Sequence, residues 1–187
     1  RGLGDVYKRQ NLFNPEIGYI STANQNVTPA DYNKWEAIGF DWADPYRGNR
    51  INRVLESKEK FNLKEMLRLQ VDYYSIPSEQ IINLSSGLIS NNIEYFTMLE
   101  KWDKKLSKSS IEAGIYIEWQ NQLFLEVTKK FIPEKVNKYI DMQLFKVIEK
   151  ISEMNINEKK ELLNRTFNSS VDNLKEKFVE NPDNWVY

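Results

Sequence analysis

From Arg47 onward, apolar residues recur at spacings of three and four almost to the end of the chain, whereas only one short run before that point has strand character. This asymmetry constrains the fold more than any other feature, because such spacing puts one apolar stripe on each helix. Ile51, Val54 and Leu55 make the first stripe. Asn62, with Glu65 three residues later, reads as the capped start of a second helix with Leu63, Met66, Leu67, Tyr73 and Tyr74 on its buried side. Pro77 is expected to end or kink that helix. Ile81, Leu84 and Leu88 suggest a short third helix stopped by Ser90-Asn91-Asn92, and Tyr95, Met98, Leu99 and Trp102 recur with helical spacing after it. Ser109 with Glu112 reads as a capping box opening a long helix, whose inner face is Ile111, Ile115, Trp119, Leu123 and Val127. After Pro133, Val136, Tyr139, Ile140, Val147, Ile148 and Ile151 mark another, and Leu163, Phe167, Val171, Leu174 and Phe178 a last. The segment 47–187 therefore reads as six or seven amphipathic helices, without internal repeat.

The run Gly18-Tyr19-Ile20-Ser21-Thr22-Ala23 is β-favouring, with apolar and small residues in both alternations, and ends in Asn24-Gln25-Asn26. Residues 11–26 are thus expected to hold a strand buried on both faces. One strand cannot satisfy its own backbone groups, so its partners are expected from elsewhere in a longer polypeptide. Residues 27–46 carry Tyr32, Trp35, Phe40, Trp42 and Tyr46 and read as a loop pinned by its rings. Residues 1–10 fit nothing that follows: Gly2 and Gly4 have no preceding strand and no third glycine, so they make a poor phosphate loop. They are read as a non-native leader. The fold class is α+β, mainly helical, with one N-terminal strand.

The chemistry is narrowed by what the chain lacks. There is no cysteine and no histidine among the 187 residues, which removes disulfides, Cys/His zinc sites, cysteine nucleophiles and every Ser-His-Asp triad. A carboxylate, a lysine or an α-amino group remains as a base. Lysine and arginine total 26 against 27 acidic residues, interleaved along the helices. No basic stripe for nucleic acid results. A hydrophobic fraction of 41% with 13% aromatics indicates a folded domain. No apolar run has the length of a membrane span, and the N-terminus has no signal-peptide core.

Three features stand out: the amide-terminated run Tyr19–Gln25, the junction Asp44-Pro45-Tyr46-Arg47, and Trp102-Asp103 followed by Ser109 and Trp119. From the residues alone, Asn24 and Gln25 either terminate a strand or offer donors. Arg47 is either an ordinary arginine at a helix start, a mildly unfavourable place for a cation, or a site residue. Tyr46 lines a pocket or only packs, Trp102 and Trp119 read as core, and Asp103 caps or pairs locally.

In order, the stretches NPEIGYISTANQNVTPADY, DWADPYRGNRINRVLE, FNLKEMLRLQVDYYSIPSEQ and YFTMLEKWDKKLSKSSIEAGIYIEW resemble the penicillin amidase family, over most of Asn11–Tyr187. That family comprises N-terminal nucleophile hydrolases such as penicillin, cephalosporin and acyl-homoserine-lactone acylases. The resemblance implies a late part of the β chain, a strand from an αββα sheet, and a nucleophilic serine exposed by self-cleavage in another segment. The α-amino group of that serine serves as the base, which suits a chain without histidine. The resemblance makes Asn24 the oxyanion-hole asparagine and Arg47 the arginine that orients it, with Tyr46 as a candidate substrate contact. It further implies an N-acyl small-molecule substrate, pairing with the α chain and the rest of the β chain, and a periplasmic or secreted location. Calcium, found in some members, is an expectation for the full protein; no residue is assigned to it here, although a family carboxylate falls near Glu36. This stretch alone is expected to be inactive. The rival reading is a non-catalytic helical module that adds its strand to a partner's sheet.

Overall fold

The computed structural model describes residues 13–29, 31–33, 42–137, 139–140, 142–178 and 182–186, in two compact units, Arg1–Val71 and Asp72–Tyr187. The leader at 1–10 lies outside the described residues, as do Trp35, Glu36 and Phe40 of the aromatic loop.

The first unit holds α1 (Tyr46–Leu55) and α2 (Leu63–Gln70) after irregular chain. The strand expected over 11–26 is not shown: residues 13–26, its described part, run through turns and bends with no ladder partner among the described residues. A β-favouring run becomes a strand only when a second chain segment takes its amides and carbonyls. The capping box of α2 forms as read, with Asn62 Oδ1 accepting from the Glu65 amide at 3.0 Å and Glu65 Oε2 from the Asn62 amide at 2.9 Å. Its apolar side is another matter. No residue of α2 is buried, and Leu63, Met66, Leu67 and Tyr73 are all exposed. Periodicity dictates that a stripe exists, not what covers it.

The second unit is a helical layer built around α5 (Ile111–Phe131) and α8 (Ile156–Phe178). α3 (Ile76–Ser85), α4 (Ile93–Lys101), the single turn α6 (Glu134–Asn137) and α7 (Leu144–Glu153) complete it, with a 3-10 turn at Pro182–Asn184. α5 packs on α8, α7 and α4, and α3 packs on α7. Ile115, Trp119, Leu123 and Val127 of α5 meet Leu163, Phe167 and Val171 of α8, all fully buried. Each such side chain stabilises the fold by about 1.5–3 kcal/mol through area removed from water. Trp119 stands edge-on to Phe167 at 4.9 Å and to Phe96 at 6.0 Å. Trp102 is buried beside Tyr116, and Asp103 Oδ1 accepts from the Lys105 amide, so both behave as read.

Several boundaries differ from expectation. Pro77 starts a helix rather than ending one: it sits in the first turn of α3, where its missing amide costs nothing, and Ser75 caps that helix from the Ser78 amide. Tyr73 and Tyr74 lie beyond the end of α2. Here Leu106 donates to the Tyr73 carbonyl and Ser75 to the Lys104 carbonyl, giving one antiparallel bridge between Tyr74 and Lys105. The cap of α5 is Ser110, not Ser109, its hydroxyl accepting from the Ala113 amide at 3.0 Å. The helix expected after Pro133 breaks into α6 and α7, leaving Tyr139 exposed. The third helix ends at Ser85 rather than at Ser90-Asn91-Asn92, and the chain beyond it is held from a distance. Asn164 of α8 accepts from the Ser90 amide at 2.8 Å and donates to the Leu88 carbonyl at 2.7 Å. Among the described residues no helix is long and apolar enough to cross a membrane.

Candidate functional site

The candidate site lies wholly in the first unit, where the chain from Tyr19 to Gln25 runs against α1. Two side-chain bonds tie this segment to α1 and the residue that ends it: the Ser21 hydroxyl donates to Asn52 Oδ1 of the helix, and the Tyr19 hydroxyl donates to Oε1 of Glu56, its C-cap, at 3.0 Å. The segment then turns sharply. Asn24 has φ of 67°, a left-handed conformation that asparagine tolerates better than most residues.

The peptide groups flanking Asn24 are pinned on each side. Arg47 Nη2 donates to the Ala23 carbonyl at 2.9 Å, the Ala43 amide donates to the Asn24 carbonyl at 2.9 Å, and the Ala23 amide donates to Gln25 Oε1 at 2.6 Å. None of these bonds uses the Asn24 carboxamide, and Asn24 is exposed. The turn is therefore held by its backbone while the side-chain NH2 remains available as a donor. Asn24 and Arg47, expected as a pair, are brought together, but through the peptide between them: the guanidinium grips the carbonyl just before Asn24.

The start of α1 suits this arrangement. Pro45 occupies the cap position with no side-chain capping bond, and the first turn has no acidic residue. A cation there loses about 0.3–1 kcal/mol to the helix dipole, and the charge-assisted bond to the Ala23 carbonyl offsets that loss. Tyr46, one residue earlier, is partly buried. That burial and then the Asp44 carboxylate push its phenol well above its ordinary value, so it stays protonated and acts as a neutral hydrogen-bonding group rather than a base.

Gln25, weighed only as a strand end or a donor, and Gly48, which sequence reasoning passed over, complete the turn. Gln25 is buried, and its carboxamide lies over Gly48, which is also buried. A Cβ at position 48 would overlap Gln25 Nε2 and Cδ and sit 2.8 Å from Oε1. A glycine in a helix costs about 1 kcal/mol relative to alanine, so its presence directly after Arg47 was the available signal of a close approach. Among the described residues no group of three or more acidic side chains converges on a point that could hold a metal ion. Glu36 lies outside the described residues.

An exposed amide donor on a backbone-pinned turn, backed by a guanidinium from a helix start and followed by a helical layer, has the makings of an anion-stabilising site. Residues 5–187 match the penicillin amidase family, and the chain belongs to that family. Its fold is similar to that of a thermostable penicillin G acylase from Alcaligenes faecalis, with a TM-score of 0.70 over 93% of this chain and 14% sequence identity. The match covers 39% of the acylase chain, so this chain spans about two fifths of that length. No curated protein sequence matches it.

Proposed function

We propose that the chain is the part of a penicillin-amidase-type amidohydrolase that carries the oxyanion donor and its support. The observation that carries this reading is the Asn24 turn, held by Arg47 and Ala43 with the carboxamide left free, in a chain matched to the family along almost its whole length. The substrate class is an N-acyl amide of the penicillin-like or acyl-homoserine-lactone kind. The nucleophile is a serine at a processed N-terminus elsewhere in the full-length protein. Its hydroxyl oxygen attacks the amide carbonyl carbon and its proton passes to the serine's own α-amine. The carbonyl oxygen becomes an oxyanion, and the Asn24 NH2 donates to it. Collapse breaks the C–N bond, the amine leaves with the proton, and water hydrolyses the acyl ester.

A donor fixed before the reaction stabilises the developing charge without reorganising, typically by about 3 kcal/mol. Arg47 contributes by locking the peptide before Asn24, and its charge disfavours protonation of a nearby α-amine. Tyr46 is a neutral wall or hydrogen-bond donor for substrate. The segment 11–26 belongs to the sheet of the larger fold, its ladder partners supplied by the α chain and the remaining β chain, which is consistent with the lack of a ladder partner among the described residues. Export to the periplasm or beyond follows from the same reading.

The test is Asn24→Ala in the full-length protein, assayed on a chromogenic N-acyl amide. A loss in kcat of about 100- to 1,000-fold with KM little changed is expected. Near-normal turnover, or a gene with no serine-led chain start, would leave the non-catalytic helical module as the better account.

A further inference from the structure

We infer that Gln25 and Gly48 form the positioning pair for Asn24, an inference that rests on Asn24 being the oxyanion donor. Gln25 is only 7% exposed, yet it carries a primary amide, which is not placed in an interior without a partner. Its Oε1 accepts from the Ala23 amide at 2.6 Å, closing a small ring of atoms around Asn24 from the residue after it to the residue before it. That ring holds the left-handed backbone at Asn24 and hence the direction of its side chain. The ring rests on α1. Gly48 is buried beneath the Gln25 carboxamide, and any Cβ at 48 would overlap the amide nitrogen and carbon. The same helical turn thus supplies the guanidinium that grips the Ala23 carbonyl and the bare backbone on which the amide lies.

The consequence is a specific coupling. A methyl group at 48 acts on Asn24 only by displacing Gln25. Once Gln25 is shortened, that methyl has nothing left to push. Both residues are buried, so their loss is expected in kcat rather than in binding.

The test is a cycle in the full-length protein: Gln25→Ala, Gly48→Ala, the double variant, Gln25→Glu and Asn24→Ala, with kcat and KM measured separately and thermal unfolding recorded for each. Misplacing a reacting group by about 1 Å costs on the order of 100-fold. Gln25→Ala and Gly48→Ala are each expected to lower kcat by about 10- to 100-fold with KM within about threefold. The double variant is expected to be no worse than Gln25→Ala, and Gln25→Glu, which keeps an acceptor for the Ala23 amide, to recover most of the loss. Multiplying losses in the double variant, a rise in KM at constant kcat, or no loss with Gln25→Ala would overturn the pairing. If Gly48→Ala does not fold, the contrast between Gln25→Ala and Gln25→Glu still decides. If Asn24→Ala loses turnover while both singles keep it, only the pairing fails. If Asn24→Ala turns over normally, the hydrolase reading fails as well.

Discussion

Replacing Thr166 by valine tests the most consequential polar contact in the helical core. Trp119 and Thr166 lie 47 residues apart on α5 and α8, and both are buried. The indole N–H donates to Thr166 Oγ1 at 3.0 Å, and that hydroxyl donates to the Leu162 carbonyl one turn back at 2.8 Å. Valine fills nearly the same space, so packing changes little. What changes is the indole N–H, left without an acceptor at a position with no access to water. Leaving a buried donor unsatisfied costs about 1–3 kcal/mol, a large share of the roughly 5–15 kcal/mol that holds a domain together. For a protein of this size each kcal/mol shifts Tm by about 2–4 °C, so a fall of about 2–12 °C is expected. Urea unfolding followed by circular dichroism measures the loss, with an unchanged slope against denaturant showing that only the native state was touched. Trp119→Phe alone is also costly, through lost packing. Adding it to Thr166→Val should cost less than the sum, because no donor then remains to be orphaned. A Thr166→Val protein within about 0.5 kcal/mol of wild type would refute the reasoning, since surface changes of no consequence fall in that range.

Three further outcomes follow from the same contacts. Gly114→Ala should destabilise by about 1–3 kcal/mol in chemical denaturation, because its Cβ would overlap the carbonyl oxygen of buried Trp185, a backbone atom that cannot swing aside. Burial opposes ionisation of Glu118, but hydrogen bonds from Asn173 and Gln122 and the charge of Lys177 outweigh it and hold the carboxyl below its ordinary value of 4.5. A depressed folded value means that the stabilisation is present above the unfolded value and is lost as pH falls through the folded one. The stability gap between wild type and Glu118→Gln should therefore be constant near neutrality and close below about pH 4.5, as read by thermal unfolding across that range. Asn24→Asp keeps a residue that accepts the left-handed backbone but replaces the donor NH2 by an acceptor. It should leave Tm within a few degrees of wild type while lowering kcat at least as far as Asn24→Ala, and retained turnover would argue against an oxyanion at this position.

Local signals proved readable where the physics is local. The capping box at Asn62 and Glu65 spans three residues and forms as expected. The stripe Ile115, Trp119, Leu123 and Val127 is buried because a long helix with one apolar face has little choice. Ser109 was one residue away from the true cap, Ser110, because two adjacent serines offer the same chemistry and only packing of the α5 face chooses between them. Pro77 misled for a related reason: proline forbids the helix interior but favours the first turn, and the sequence does not say on which side of it the helix lies.

Asn24 and Arg47 stood out as site residues through the resemblance to the penicillin amidase family, since from the residues alone a strand end and a helix start explain them equally well. Their connection through the Ala23 carbonyl did not stand out, nor did the buried amide of Gln25 over Gly48. Sequence by itself determined that this chain is mainly helical, where α2 begins, and that no histidine or cysteine within it takes part in chemistry, since these depend on neighbours within about four residues or on composition alone. Only the tertiary structure decided that α2 keeps its apolar side uncovered, that the β-favouring run from Tyr19 finds no ladder partner among the described residues, and that a side chain after Arg47 would displace the Gln25 carboxamide. Each of those depends on atoms brought together from distant parts of the chain, and burial, strand pairing and close approach are properties of such meetings rather than of any local pattern.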